Sequence, residues 1–153
     1  MNIQLLCVGS LKEQYWRDAS AEYEKRLQKY CTLKIEEVKE IKSSGIETIV
    51  SEEGGLLLGK QRKGAYSIAL DLNGKGFSSE GFADMLKQLA LYGKSQLCFY
   101  IGGSYGLSDD VLRKADLRMS FSNMTIQHQL VRIVLLEQIY RAFKIICNEV
   151  YHK

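Results

Sequence analysis

The sequence contains no proline, one tryptophan and two histidines, and its 21 basic and 18 acidic residues leave a net charge of only +3. No linker, internal repeat or low-complexity tract interrupts it, so a single domain over residues 1–153 with one core is expected. No apolar run approaches the roughly 18 residues that span a bilayer. The opening MNIQLLCVGSLKE lacks a basic n-region and a small-residue cleavage site, so no membrane association and a cytoplasmic location are expected. Cys7, Cys31, Cys98 and Cys147 stand far apart without a CxxC pair, and three of them lie in apolar surroundings. That spacing argues for reduced thiols rather than disulfides, and no metal site is expected.

The small charge is unevenly placed. From residue 112 onward seven Lys or Arg face three Asp or Glu, while the first 111 residues hold fourteen against fifteen. The C-terminal quarter therefore carries the whole excess, which fits either an anionic partner or a solvated face.

Alternation and short apolar runs predict strands at 2–8, 32–38, 65–72, 96–101 and 117–121. Helical spacing fills the intervals. Trp16, Ala19, Tyr23, Leu27 and Tyr30 form one apolar stripe; Ile46, Ile49 and Val50 begin a second helix that Gly54 and Gly55 are expected to bend or weaken; Phe82, Met85, Leu86 and Leu89 mark a third. Ser108 before Asp109 and Asp110 reads as an N-cap with acids in the first turn, opening a short helix to about Ala115. Strands alternating with helices predict an α/β fold, a mostly parallel sheet sandwiched by helices, with ligands at the carboxyl ends of the strands. The last helix, about 127–147, is apolar around most of its circumference. It must be buried on two sides, one against the sheet and the other against a second copy of the chain.

YIGGSYGL, residues 100–107, places three glycines between a strand and a capped helix. A phosphate-binding loop has that setting, but the spacing is GGxxG rather than GxGxxG, no Lys-Ser/Thr follows, and no acid stands about 20 residues on to grip a ribose. A structural turn is the plain alternative. A second loop, from Phe121 to Ile126, follows the next strand. Its exposed amides suit an adenine or a carboxylate, although helix capping by Ser122 or Thr125 explains the same residues.

The strings LDLNGKGFSSEGFA, FYIGGSYGL, LSDDVLRKADLRMSFSNMT, HQLVRIVLLEQIYRAFKI and the terminal YHK, with VGSLKEQYWRDASAEYEKRL near the start, resemble the RlmH family of SPOUT methyltransferases over nearly the whole chain. The resemblance implies a single SPOUT domain, a C-terminal trefoil knot, a homodimer, and S-adenosylmethionine-dependent methylation of N3 of a pseudouridine in 23S ribosomal RNA. It implies cofactor contacts at Leu70, Gly102, Gly103, Phe121, Ser122, Asn123, Met124, Thr125 and Ile126, mainly through backbone groups. It also implies that the terminal Tyr151, His152 and Lys153 return to the cofactor cleft, Tyr151 to stack on the target base and His152 as base or phosphate contact. Two positions depart from the family pattern: Asn123 where a basic residue is common, and Val150 where a proline commonly precedes Tyr-His.

Methyl transfer to a uracil-type N3 needs in-line alignment and removal of a proton from a poor nucleophile. His128 is the candidate acceptor, because the dipole of a helix's first turn disfavours imidazolium. Arg132, one turn later, is the candidate anion or phosphate contact; a structural His128 bonded to a backbone carbonyl is the alternative. Arg141 is a candidate RNA contact, with an ordinary ion pair to Glu137 four residues earlier as the competing reading. Few basic residues predict weak binding of free RNA and a preference for the assembled ribosome. A catalytically silent RNA-binding dimer and a Rossmann-like nucleotide binder remain the competing classes.

Overall fold

The computed structural model describes residues 1–43 and 45–151. Ten elements alternate along them: β1 (Asn2–Val8), α1 (Gln14–Leu27), β2 (Thr32–Val38), α2 (Ile46–Lys60), β3 (Tyr66–Gly76), α3 (Ser79–Leu91), β4 (Gln96–Ile101), α4 (Asp109–Lys114), β5 (Leu117–Ser120) and α5 (His128–Ile146). All five strands run parallel, in the order β2-β1-β4-β3-β5. The central β1 and β4 are covered on both faces, which is why NIQLLCV and QLCFYI are nearly continuous apolar runs. At the edge, β2 alternates and exposes Thr32 and Lys34.

The sheet divides the interior into two apolar layers. On one face α1, α3 and α5 enclose Leu5, Phe99, Leu86, Leu135 and Ile139; on the other α2 and α4 cover Leu6, Tyr100, Leu57 and Val111. Helix α2 is unbroken through Gly54 and Gly55. A Cβ on Gly54 would fall 2.1 Å from Ser108 Oγ, so that glycine permits close approach of the start of α4 and does not end the helix. Ser108 caps α4 as expected, its hydroxyl accepting from the Val111 amide at 3.3 Å.

Two features position the functional region. Strand β3 runs four residues beyond the expected end, and its register on β5 shifts between Leu70 and Lys75, so that both face Met119. The strand residues between them bulge out of register; at Gly74 a Cβ would lie 2.6 Å from the Met119 backbone. From β5 the chain returns through residues 121–127 to lay α5 between α1 and α3 and against β4. Ile133, Leu135, Leu136, Ile139, Ala142 and Phe143 are buried there, while Leu130 stays 36% exposed and Val131 and Val134 half-buried. No helix among the described residues is long and apolar enough to cross a membrane.

Candidate active site

A cleft of about 430 Å³ opens at the carboxyl ends of β3, β4 and β5. Leu70 and Leu72 of β3 form one side, the 102–106 loop another and residues 120–127 a third; His128 and Val131 of α5 close the end. The glycine loop is a tight reversal in which the Gly106 amide donates to the Gly103 carbonyl at 3.1 Å. Gly106 has φ +83°, the left-handed region that favours glycine. A Cβ on Gly102 would meet the Gly106 carbonyl group at 2.5 Å, so its bareness serves the loop's own closure before any ligand. Gly103 packs over Val8 and Glu53, where a Cβ would be 3.0 Å from each.

Of the residues expected to contact a cofactor, Leu70, Gly102, Gly103, Phe121, Ser122, Met124, Thr125 and Ile126 line this cleft; Asn123 is exposed and does not. Neither Ser122 nor Thr125 caps α5. Gln127 occupies that position without a side-chain bond, and the Ser122 hydroxyl accepts from the Met124 amide at 3.0 Å, which turns the loop on itself. Sequence reasoning missed Asp71, Leu72, Ser104, Ser120 and Gln127, although the run LDL at a strand end was the available signal for the first two. Asp71 is engaged by Arg118, whose Nε donates to it at 3.0 Å.

His128 lies at the cleft wall, its side chain 18% exposed, with Nε2 buried, unbonded and 3.8 Å from Glu40 Oε1. The structural alternative in which His128 bonds a backbone carbonyl is not what Nε2 does. Arg132, expected as the anion or phosphate contact, does not join it at the cleft. It is 4% exposed and turned away from the cleft, donating to Glu37 Oε1 at 2.6 Å and to the Gly9 carbonyl at 2.9 Å. The physical reason is that a buried guanidinium needs acceptors for its donors, and the Glu37 carboxylate of β2 and the Gly9 carbonyl just past β1 supply them. It lines a separate hollow with Arg17, Glu24 and Glu37.

The far end of α5 holds a different cluster. Arg141 Nε donates to Glu137 Oε1 at 3.0 Å, the ordinary i,i+4 pair. The Tyr151 hydroxyl donates to the same oxygen at 3.1 Å, and its ring lies edge-on to Tyr140 with the Arg141 guanidinium 4.7 Å above it. Desolvation pushes the Tyr151 phenol up to about 12. Within one chain, then, Tyr151 and Arg141 are brought together with each other and not with the cleft. His152 and Lys153 lie outside the described residues.

The cleft fits an S-adenosyl nucleoside better than a phosphorylated one. It offers apolar walls at Leu70, Ile101, Phe121 and Ile126, and two loops rich in backbone polar groups. Its volume is within the roughly 300–1,000 Å³ of small-molecule sites. Among the described residues no Lys or Arg lines it to meet a phosphate.

Comparison with known proteins agrees. The model of a family described as predicted SPOUT methyltransferase matches residues 1–152. A protein of Clostridioides difficile named ribosomal RNA large subunit methyltransferase H is 49% identical over 159 aligned positions that cover 100% of both chains. Among solved structures, a protein of Haemophilus influenzae described as of a methylase family superposes with TM-score 0.57 at 10% identity, over 99% of this chain and 70% of its own. A Legionella pneumophila protein, described as a methyltransferase with the cofactor SAM bound, gives 0.50 at 11% identity over 93% and 66%. The last two show a shared fold, and the first two go further: the chain belongs to the SPOUT methyltransferase family.

Proposed function

We propose that this protein methylates ribosomal RNA of the large subunit with S-adenosylmethionine, at N3 of a pseudouridine in 23S RNA, acting as a cytoplasmic homodimer on the assembled ribosome. The observation that carries the reading is the cleft itself. Two loops at neighbouring strand ends meet there, one closed by glycines and one turned on itself by Ser122, in a chain whose full-length relatives are named as ribosomal RNA large subunit methyltransferases.

When bound, the cofactor supplies an electrophilic methyl group. The chain's own residues do the rest. The 102–106 loop and residues 121–126 hold and orient the ligand, with Leu70 and Phe121 excluding water from one side. His128, the only ionisable side chain besides Asp71 at the cleft wall among the described residues, takes the N3 proton, leaving the nitrogen pair to form the bond to carbon. Arg132 acts by tying α5 to β1 and β2, so that His128 stays at the wall.

The half-buried strip of Leu130, Val131 and Val134 supports the second copy. Tyr151 packed at the opposite end of α5 from His128 supports a tail that serves RNA away from its own cleft. The return of α5 from the sheet edge to its middle supports a trefoil knot in the C-terminal third. Calorimetric titration tests the cofactor assignment: S-adenosylmethionine binds at one site per chain and NAD does not bind. Binding of NAD instead would support the nucleotide-binder class.

A further inference from the structure

A buried carboxylate without a cation stands directly behind the glycine loop. Glu53 of α2 is 4% exposed, and its Oε1 accepts from the Ile41 amide at 3.0 Å. Its Oε2 is buried and bonds nothing. That oxygen lies 3.0 Å from where a Cβ on Gly103 would stand, and Gly103 itself lines the cleft whereas Glu53 does not. The carboxylate is therefore separated from the cleft by the thickness of one residue that has no side chain.

Buried polar atoms are nearly always satisfied, and an unpaired buried charge opposes folding. A leucine or methionine in place of Glu53 would fill the space without that desolvation. Nearby carboxylates are matched by cations: Asp71 accepts from Arg118 Nε at 3.0 Å, Glu37 from Arg132 at 2.6 Å, and Glu40 Oε2 meets Lys12 Nζ at 3.2 Å. Among the described residues no Lys or Arg pairs with Glu53. A negative charge left uncompensated beside a cleft has a cationic ligand as its natural partner.

We propose that Glu53 is a specificity-determining residue for the methyl donor: its carboxylate, seated against Gly103 behind the glycine loop, favours the cationic sulfonium over the neutral thioether that remains after transfer. The inference rests on the reading of the cleft as the S-adenosylmethionine site. Donor and product share their adenosine and amino-acid parts and differ by one methyl group and one unit of charge. When the methyl group passes to N3, the sulfur–carbon electron pair stays on sulfur and that positive charge is lost. A cleft of about 430 Å³ keeps a bound ligand within roughly 10 Å of the carboxylate, a range over which salt screens a partly buried pair weakly. Glu53 thus helps the protein take up fresh donor and release spent product.

Calorimetric titration of the full-length protein tests this with three ligands: S-adenosylmethionine, S-adenosylhomocysteine, and an analogue of the donor that carries a protonated amine in place of the sulfonium. E53Q keeps the shape and the acceptor for the Ile41 amide while removing the charge. It is expected to weaken both cationic ligands on the order of tenfold and the neutral product by less than about twofold. E53M, which removes the charge with an apolar side chain, is expected to narrow the preference for cation over product in the same way. Equal losses for all three ligands would overturn the proposal and leave Glu53 as a support of the loop, and so would a preference unchanged from the parent's. A parent that binds none of the three would overturn the cofactor assignment and this proposal with it.

Discussion

Glu53 works against the fold at neutral pH, and that gives a test independent of ribosomes. Its carboxyl titrates higher in the folded chain than in the unfolded one because burial disfavours the charge. The folded state therefore binds the extra proton; this support is complete below the ordinary glutamate range and is lost as pH rises through the raised value. E53Q is expected to unfold at higher temperature than the parent at pH 8, and the gain should shrink toward pH 4 in thermal scans. A gain constant with pH would mean that Glu53 titrates alike in the folded and unfolded chains. Gly102 makes a second test, since a methyl group there meets backbone and not a yielding side chain. G102A is expected to weaken S-adenosylmethionine binding by at least about tenfold, or roughly 1.4 kcal/mol, in calorimetry. At this scale the positions implied by the resemblance to the SPOUT family fall together: eight of the nine expected cofactor positions line the cleft. Arg132 was not legible, since helical spacing puts it near His128 and only the fold reveals the Glu37 carboxylate and Gly9 carbonyl that draw it inward.

Elements were the most readable part of the chain. Each of the five strands begins within a residue of the expected position, because burial on both faces or alternation on one leaves an unmistakable pattern in a parallel sheet. The misreadings have non-local causes. Gly54 looks like a helix breaker until α4 is seen crossing it, and the register shift in β3 depends on a partner strand more than forty residues away. The end of α5 offers a prediction of its own. The Asn148 and Glu149 amides return to the Ile145 and Lys144 carbonyls at 3.1 and 2.9 Å, and Asn148 is the only non-glycine among the described residues with positive φ, at 53°. This is the reversal that commonly ends a helix with glycine. N148G is expected to raise stability by about 0.5 kcal/mol, and N148V to lower it by about 1–2 kcal/mol, in denaturant melts. Just beyond, Lys144, Tyr30 and Lys29 converge on Glu149 and hold its carboxyl down to about 2. That anchor is in place above the ordinary glutamate range and is lost as pH falls toward 2, which acid titration of the tail's amide signals would follow.

For the whole molecule, the path of α5 back from the sheet edge could not be read from local pattern, because it depends on contacts far apart in sequence. What the sequence does carry is the excess of apolar surface on α5. Only one side of it is spent against α1, α3 and β4, and Leu130 remains 36% exposed. L130D/V134D is expected to give a monomer in light scattering while the single chain keeps its fold by circular dichroism; a dimer that survives would exclude this strip as the interface. The net charge of +3 bears on the substrate at the same scale. With few basic residues to displace counterions, affinity for a bare RNA stem-loop should be weak and should fall little with salt. The most direct measurement of the central claim is incorporation of labelled methyl from S-adenosylmethionine into ribosomes that lack the modification, with the product mapped by mass spectrometry. The account predicts one methyl group, on N3 of a pseudouridine in 23S RNA, formed on assembled ribosomes and not on the free stem-loop. Absence of any incorporation into ribosomes, from protein that binds the methyl donor, would contradict it.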